Sequence, residues 1–426
     1  MGRFLVAFIN MIDLAILLIS LLVLRLCVFI ILEQLNVKFL KLHAVNLPET
    51  VRGIMDEPTF AKSVEYTEAK SKFSSVSTIY DGLILTLIIT LGILPYAYNY
   101  LSSLLGYSLL GQSLVFIITL FLLGLPNLPF NWWETFKLEE RFGFNKSSLK
   151  LWISDQIKGL ALGLIIGVPL IMGLMWIVTQ MGDYWWLWAF VFLCLFQVVM
   201  IVLYPMFILP LFNKLEPLET GELKKRLLAL GDRCGFESQT ILVMDGSKRS
   251  GHSNAFFTGF GQFRRIVLYD TLIEKMEIKE LEAVLAHEIG HYKCGHIPQR
   301  LFFSAFSTLL MFAFLGWLIQ TKWIFESLGF SPELSSPFVP AFLVVSLFSG
   351  LFTFWLSPLD SLWSRKHEYE ADAFAKNAMN EQDSLSNALR KLYKENLSNL
   401  MPHPIYSAFY YSHPTIVERE KALDKV

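Results

Sequence analysis

Charge is scarce in this sequence. Of 426 residues only 17% are Asp, Glu, Lys or Arg, and the 36 basic and 37 acidic side chains leave a net charge of −1. A balance this even gives no sign of nucleic-acid binding. Cysteine is scarcer still: Cys27, Cys194, Cys234 and Cys294 are widely spaced with no C-x-x-C pair, so no disulfide framework is implied. The apolar N-terminus, Met1 to about Leu35, runs longer than a signal-peptide core and lacks a convincing small-residue cleavage site, so it is expected to stay as a first span. The tail Ala422-Leu423-Asp424-Lys425-Val426 carries neither a dilysine nor a K-D-E-L type signal, and so gives no address in the endoplasmic reticulum.

What fills the chain instead is apolar surface. Hydrophobic residues make up 54% and aromatics 15%, and mean hydropathy is +0.47. These values predict an integral membrane protein. Apolar blocks long enough to cross a bilayer lie near 5–33, 79–101, 112–130, 156–180, 184–210, 301–320 and 338–357. Pro95, Pro126, Pro169 and Pro205 interrupt them and predict kinks. Asp13 and Arg25, both costly in lipid, are expected to snorkel or to pack against protein. Lys38, Lys41, Arg52, Lys62, Lys70 and Lys72 follow the first block, and Lys137, Arg141, Lys146 and Lys150 follow the third, whereas the stretches after the second and fourth have no Lys or Arg. The positive-inside rule then places the N-terminus outside and the C-terminus in the cytosol.

One polar stretch stands out. From Glu277 to His296 the sequence reads as a helix, with Leu281, Val284, Leu285 and Ile289 at helical spacing and no proline before Pro298. Within it lies His287-Glu288-Ile289-Gly290-His291. Residues four apart share a helix face, so the two imidazoles converge on one point and can hold a zinc ion. Glu288 lies roughly 100° further round, the place for a general base acting on water at an open fourth position. The H-E-x-x-H pattern denotes a metalloprotease mechanism, although five letters also arise by chance on surface helices.

Around that helix the insertion 213–300 predicts a small folded unit. Glu222 to Leu230 reads as an amphipathic helix stopped at Cys234-Gly235. Thr240–Met244, Asn254–Phe260 and Arg264–Leu268 read as strands, with Gly259 and Gly261 near the turn between the last two. Asp270 or Thr271 is the expected cap of the helices leading to His287. A strand beside such a helix can offer its edge to an extended peptide, or can serve only as packing.

A site built on two histidines needs one more ligand. Ser361 to about Met379 reads as a second polar-faced helix on which Glu368 and Asp372 share a face and Glu370 points elsewhere. Glu368 is the expected ligand, and Asp372 the acceptor that orients a metal-bound histidine. By residue type alone, a solvated charged face accounts for the same letters. In the tail, His413 precedes a closing helix from Ile416 to Leu423 capped by Ser412 or Thr415, and is a candidate donor to a tetrahedral oxyanion.

Taken together, several stretches resemble the CAAX prenyl protease 1 family of integral-membrane zinc metalloendopeptidases. They are Phe136 to Lys146, Pro210 to Lys214, Met244 to Phe256, His287 to His291, Glu368 to Ala373 and Ser412 to Thr415. The resemblance implies an all-α membrane protein of about seven transmembrane helices around a chamber, with a small α+β zincin-like domain on the cytosolic side. It implies one Zn2+ per chain held by His287, His291 and Glu368, with Glu288 catalytic and Asp372 behind the ligands. Asn254 falls on the substrate strand, and His413 on the tail histidine that reaches the site. The expected division is 1–212 for the first five spans, 213–300 for the metalloprotease insertion, 301–357 for the last two spans and 358–426 for the C-terminal helices.

The expected substrates are prenylated CAAX-type proteins or, in a bacterium, membrane-associated peptides. The corresponding membranes are the endoplasmic reticulum and the bacterial inner membrane, and membrane lipid is the other expected contact. Two alternatives stand beside this reading: a quality-control metallopeptidase, and a non-catalytic channel or lipid-binding protein with a structural zinc. The last would need a fourth ligand, for which His296 is the candidate. Its spacing of five from His291 turns it off the shared face, so a solvated or supporting position is expected.

Overall fold

A computed structural model of the chain describes residues 2–44, 51, 53–236, 240–258, 265–331, 337–379 and 383–425, with side chains from Asp13 onward. Helices dominate. Helix α1 (Gly2–Ala44) and helix α2 (Glu57–Thr90) pack along each other. A short helix α3 (Ile93–Leu105) follows, then three spanning helices, α4 (Leu109–Phe142), α5 (Leu149–Gln180) and α6 (Gly182–Phe212). In all, seven helices among the described residues are long and apolar enough to cross a membrane. Their outward faces are apolar, with Ile16, Leu83, Ile165, Leu195 and Phe302 all more than half exposed. That surface belongs in lipid, where only helices and closed barrels satisfy their backbone hydrogen bonds.

The second apolar block is not one helix. The sequence reading runs it from 79 to 101, but α2 stops at Thr90 and α3 begins at Ile93 after Gly92, whose φ of +61° is a left-handed conformation. Hydropathy counts apolar residues and does not register a change of direction. Most of the basic residues expected in loops sit instead on helices, Lys38 and Lys41 on α1, Lys62, Lys70 and Lys72 on α2, Lys137 and Arg141 on α4 and Lys150 on α5, whereas Lys146 lies between α4 and α5 and Arg52 is outside the described residues. Of the four prolines, Pro169 is inside α5, Pro126 lies in a 3-10 turn and Pro205 in a π-helical turn, whereas Pro95 is in the first turn of α3, where it disturbs nothing. Asp13 is exposed, and the Arg25 guanidinium lies 5.7 Å from the Phe354 ring centroid, so Arg25 packs against protein.

The insertion forms a four-stranded sheet. Its strands are β1 (Leu215–Pro217), β2 (Ile241–Met244), β3 (Ala255–Thr258) and β4 (Arg265–Tyr269), in the order β1-β2-β4-β3. Helix α7 (Glu222–Arg233) ends at Cys234-Gly235 as expected. Gly259 and Gly261 lie outside the described residues. The pair β2–β4 is parallel and the outer pairs are antiparallel, which leaves β3 at an edge.

Helix α8 (Asp270–Lys275) and helix α9 (Ile278–Lys293) follow. The expected cap does not hold: Asp270 accepts from the Ser247 and Thr271 N–H groups and begins α8 without capping it. Helix α9 is capped by Glu277 and Glu280, whose carboxylates take each other's backbone N–H. Leu281, Leu285 and Ile289 are each 2% exposed or less. Burying each contributes about 1.5 to 3 kcal/mol, so this face of α9 is anchored in the core it shares with Leu227, Ile241, Ala375 and Leu389.

Helix α10 (His296–Gln320) returns to the membrane, and helix α11 (Lys322–Ser327) caps its far end. Helix α12 (Phe338–Met379) then runs from the last span, through a 3-10 turn at Phe354–Leu356, into the polar stretch that carries Glu368. At 42 residues it is about 63 Å long. Helices α13 (Asp383–Glu395), α14 (Pro404–Tyr410) and α15 (Ile416–Leu423) close the chain. Thr415 caps α15 together with Glu418.

Candidate active site

The site lies where α9 packs on α12. The contact is close because of a glycine: a β-carbon on Gly290 would lie 2.9 Å from both the Cα and the carbonyl oxygen of Ala371. Backbone meets backbone there, so Glu368, about one turn before Ala371, meets both His287 and His291, and Asp372, the residue after Ala371, meets His287.

His287, His291 and Glu368 stand as a triangle of three residues around one point. His287 Nε2 is 3.2 Å from His291 Nε2, and they lie 3.3 Å from different oxygens of Glu368, His287 from Oε2 and His291 from Oε1. A tetrahedral cation with bonds of about 2.0 to 2.1 Å needs ligand-to-ligand edges of about 3.3 to 3.4 Å. Glu368 is only 3% exposed, and its buried Oε2 meets His287 Nε2 at 3.3 Å and Arg419 Nη2 at 3.9 Å. A carboxylate buried this deeply is stable only among cationic partners. These residues therefore fit a metal, and they leave one tetrahedral corner without a ligand among the described residues.

Behind the triangle stands a set of supporting contacts. Asp372 Oδ1 lies 2.8 Å from His287 Nδ1. Arg419 Nε donates to Asp372 Oδ2 at 2.7 Å, and its Nη2 lies 3.3 Å from His287 Nδ1. Burial alone would lower the His287 pKa, but the hydrogen bonds to Asp372 and Glu368 carry it up to about 9. Burial also pushes the Glu288 carboxyl above the usual carboxylate range.

On the other ligand, His291 Nδ1 is 2.9 Å from His296 Nδ1, and His296 Nε2 is 2.8 Å from Glu370 Oε2. The sequence reading offered His296 as solvated or supporting. It is 1% exposed, so solvation is excluded. It stands behind His291 and off the ligand triangle. His413 reaches the site from the loop before α15, with Nε2 3.4 Å from Glu368 Oε1 and Nδ1 2.9 Å from the Ser412 hydroxyl oxygen. Asn254 lies one residue before β3, where its backbone oxygen accepts from the Tyr269 N–H and its side-chain oxygen from the Ala255 N–H. A polar cavity of about 670 Å³, lined by Tyr393, Tyr411, Ser412 and His413 among others, opens beside this cluster.

Residues 36–214 match the family model described as CAAX prenyl protease N-terminal, five membrane helices, and residues 217–426 match Peptidase family M48. The Saccharomyces cerevisiae protein named CAAX prenyl protease 1 is 39% identical over 413 residues, covering 91% of each chain. The chain belongs to the CAAX prenyl protease 1 family. The Homo sapiens homologue is 33% identical over 426 residues, covering 89% of this chain and 88% of its own. The crystal structure of S. mikatae Ste24p superposes with a TM-score of 0.89 at 35% identity, covering 96% of this chain and 99% of that one. This chain is therefore an integral, multi-pass membrane metalloendopeptidase of the CAAX prenyl protease 1 family, and membership brings a metal cofactor with it.

The sequence reading gave no role to Arg419. One signal was present: Ile416, Arg419 and Leu423 share the buried face of α15, so the arginine stands where an apolar residue would be expected.

Proposed function

We propose that this chain hydrolyses a peptide bond near the C-terminus of prenylated CAAX-type proteins, as the names of its relatives suggest, using Zn2+ held by His287, His291 and Glu368. The convergence of both imidazoles on the Glu368 carboxylate, with contacts of 3.2 to 3.3 Å, is the observation that carries this reading. When bound, zinc supplies a Lewis acid that polarises the scissile carbonyl and makes water nucleophilic near neutral pH. Glu288, one residue round the helix from His287, takes the proton from the attacking water and delivers it to the leaving amine. Its raised pKa suits that exchange. His413 donates to the developing oxyanion from the far side of Glu368.

The orienting groups have their own roles. Asp372, held by Arg419, fixes the His287 ring so that Nε2 faces the cation. The substrate backbone adds to the free edge of β3, with Asn254 at the end of that edge. Insertion 213–300 thus supplies His287, Glu288 and His291, and region 358–426 supplies Glu368, Asp372 and His413. The distribution of Lys and Arg supports a site on the cytosolic side, with the N-terminus outside.

The test is cleavage of a farnesylated CAAX peptide by purified protein, with and without a chelator and in the Glu288→Gln variant. Chelation and substitution should each abolish cleavage, and the variant should keep its zinc. Full turnover by Glu288→Gln would reject the assignment of the base. Equal turnover of an unprenylated peptide would reject the substrate class.

A further inference from the structure

The spans α2 and α4 run antiparallel and enclose a groove of about 570 Å³ on the outer surface of the bundle. From α2 come Lys72, Phe73 and Val76, which lie on one helix face. From α4 come Phe130, Trp133, Lys137 and Arg141, close to four residues apart and so also on one face. The ends of the groove differ. Arg141 lies 3.8 Å from Glu65, near the beginning of α2, whereas Phe130 packs between Phe73 and Tyr80, deeper in the span. Lys137 is seven residues from Phe130, about 10 Å along the axis. Lys72 starts deeper, and its long stem lets the ammonium reach back towards the headgroup level.

The lining therefore grades from cationic to apolar along the membrane normal. Arg141 and Lys137 lie towards one end with the Lys72 stem able to reach back towards them, no carboxylate among the described residues lines the groove, and the Glu65 beside Arg141 is 65% exposed and screened by water. Trp133 and Val76 are each more than half exposed on a surface that faces lipid. A neighbouring groove between α1 and α2 also has lysines, but Glu33 and Glu68 line it as well. Only a ligand with an anionic head and an apolar tail matches the α2–α4 groove along its whole length.

We infer that the α2–α4 groove is a binding site for one anionic phospholipid, its phosphate held by Lys72, Lys137 and Arg141 and an acyl chain laid over Val76, Phe130 and Trp133. The chemistry is that of lipid sites elsewhere: each cation near an anionic headgroup is worth about 1 kcal/mol, and aromatic rings settle at the headgroup boundary. The site has a structural bearing on the protease. Phe73 and Leu138 line both this groove and the polar cavity beside His413, so the two spaces are separated by a wall one side chain thick.

The experiment titrates purified full-length protein in mixed micelles with dioctanoyl phosphatidylserine and, separately, with dioctanoyl phosphatidylcholine, counting bound lipid by native mass spectrometry. One phosphatidylserine should bind at least tenfold more tightly than phosphatidylcholine. The triple variant Lys72→Gln/Lys137→Gln/Arg141→Gln should bind it about a hundredfold more weakly, with phosphatidylcholine binding unchanged. Lys72→Arg/Lys137→Arg should retain the preference. If the triple variant does not fold, Lys137→Gln alone should still weaken phosphatidylserine about fivefold. Equal binding of the two lipids, or affinity untouched by removal of the charges, would overturn the inference. So would displacement by inorganic phosphate, which would make it a bare anion site, or by a prenylated peptide, which would make it part of the substrate path.

Discussion

Gly290 and Ala371 are in backbone contact, and the distance between the two ligand-bearing helices is set at this point. Gly290→Ala must push α12 away or bend α9, because neither the Ala371 Cα nor its carbonyl oxygen is a flexible side-chain end. Overpacking of this kind costs about 1 to 3 kcal/mol. Zinc content by atomic absorption should fall severalfold while the protein stays folded; full zinc occupancy in Gly290→Ala would show that the helices accommodate the methyl group.

Asp372→Asn should weaken zinc binding about 10- to 100-fold, as loss of a partner behind a metal-bound histidine generally does. The His287 ring loses its carboxylate acceptor, and Arg419 is left buried without its main counter-charge. Competition with a fluorescent chelator measures the change. An unaltered affinity would mean that Asp372 serves packing alone.

For His413→Gln the expected loss is in kcat, about 10²- to 10³-fold, with KM and zinc content close to wild type. Its Nε2 approaches Glu368 from the open side of the cluster, and it is not one of the three ligands. A rise in KM at constant kcat would assign His413 to substrate binding instead.

Metal affinity should depend steeply on pH through His287. Without a cation its pKa is raised from 6.5 to about 9, because it gains Asp372 and Glu368 as partners. The stability this gives the metal-free protein is fully present below 6.5 and is lost as pH rises through about 9. Zinc needs the neutral ring, so its affinity should fall about tenfold per pH unit as pH drops below about 9. Thermal unfolding with and without chelator should show a gap that widens from pH 6.5 to 9. A gap independent of pH would place the proton elsewhere.

The parts of the site that are local in sequence were legible in it. A period of 3.6 residues and the spacing of His287 and His291 suffice to place two imidazoles on one side of α9, and alternation with turn residues marks three of the four strands. Glu368 was ambiguous from its letters, since a charged helix turn looks the same whether it faces water or another helix. The resemblance decided its expected role. Arg419 and His296 resisted because their partners are remote: Asp372 is 47 residues from Arg419, and Glu370 is 74 from His296. The bend at Gly92 was hidden for another reason, since apolar composition is the same on both sides of it.

Helix α12 belongs to both halves of the molecule, its apolar length joined to the turn that bears Glu368 through one 3-10 turn at Phe354–Leu356. The third ligand is thereby tied to the span through a single backbone path that tightens at one turn. A change of tilt imposed by a thinner or thicker membrane is therefore passed to the third ligand through that turn. Catalytic competence in this protein is thus tied to the bilayer in which α12 is seated, and short-chain detergents should erode it before they unfold anything.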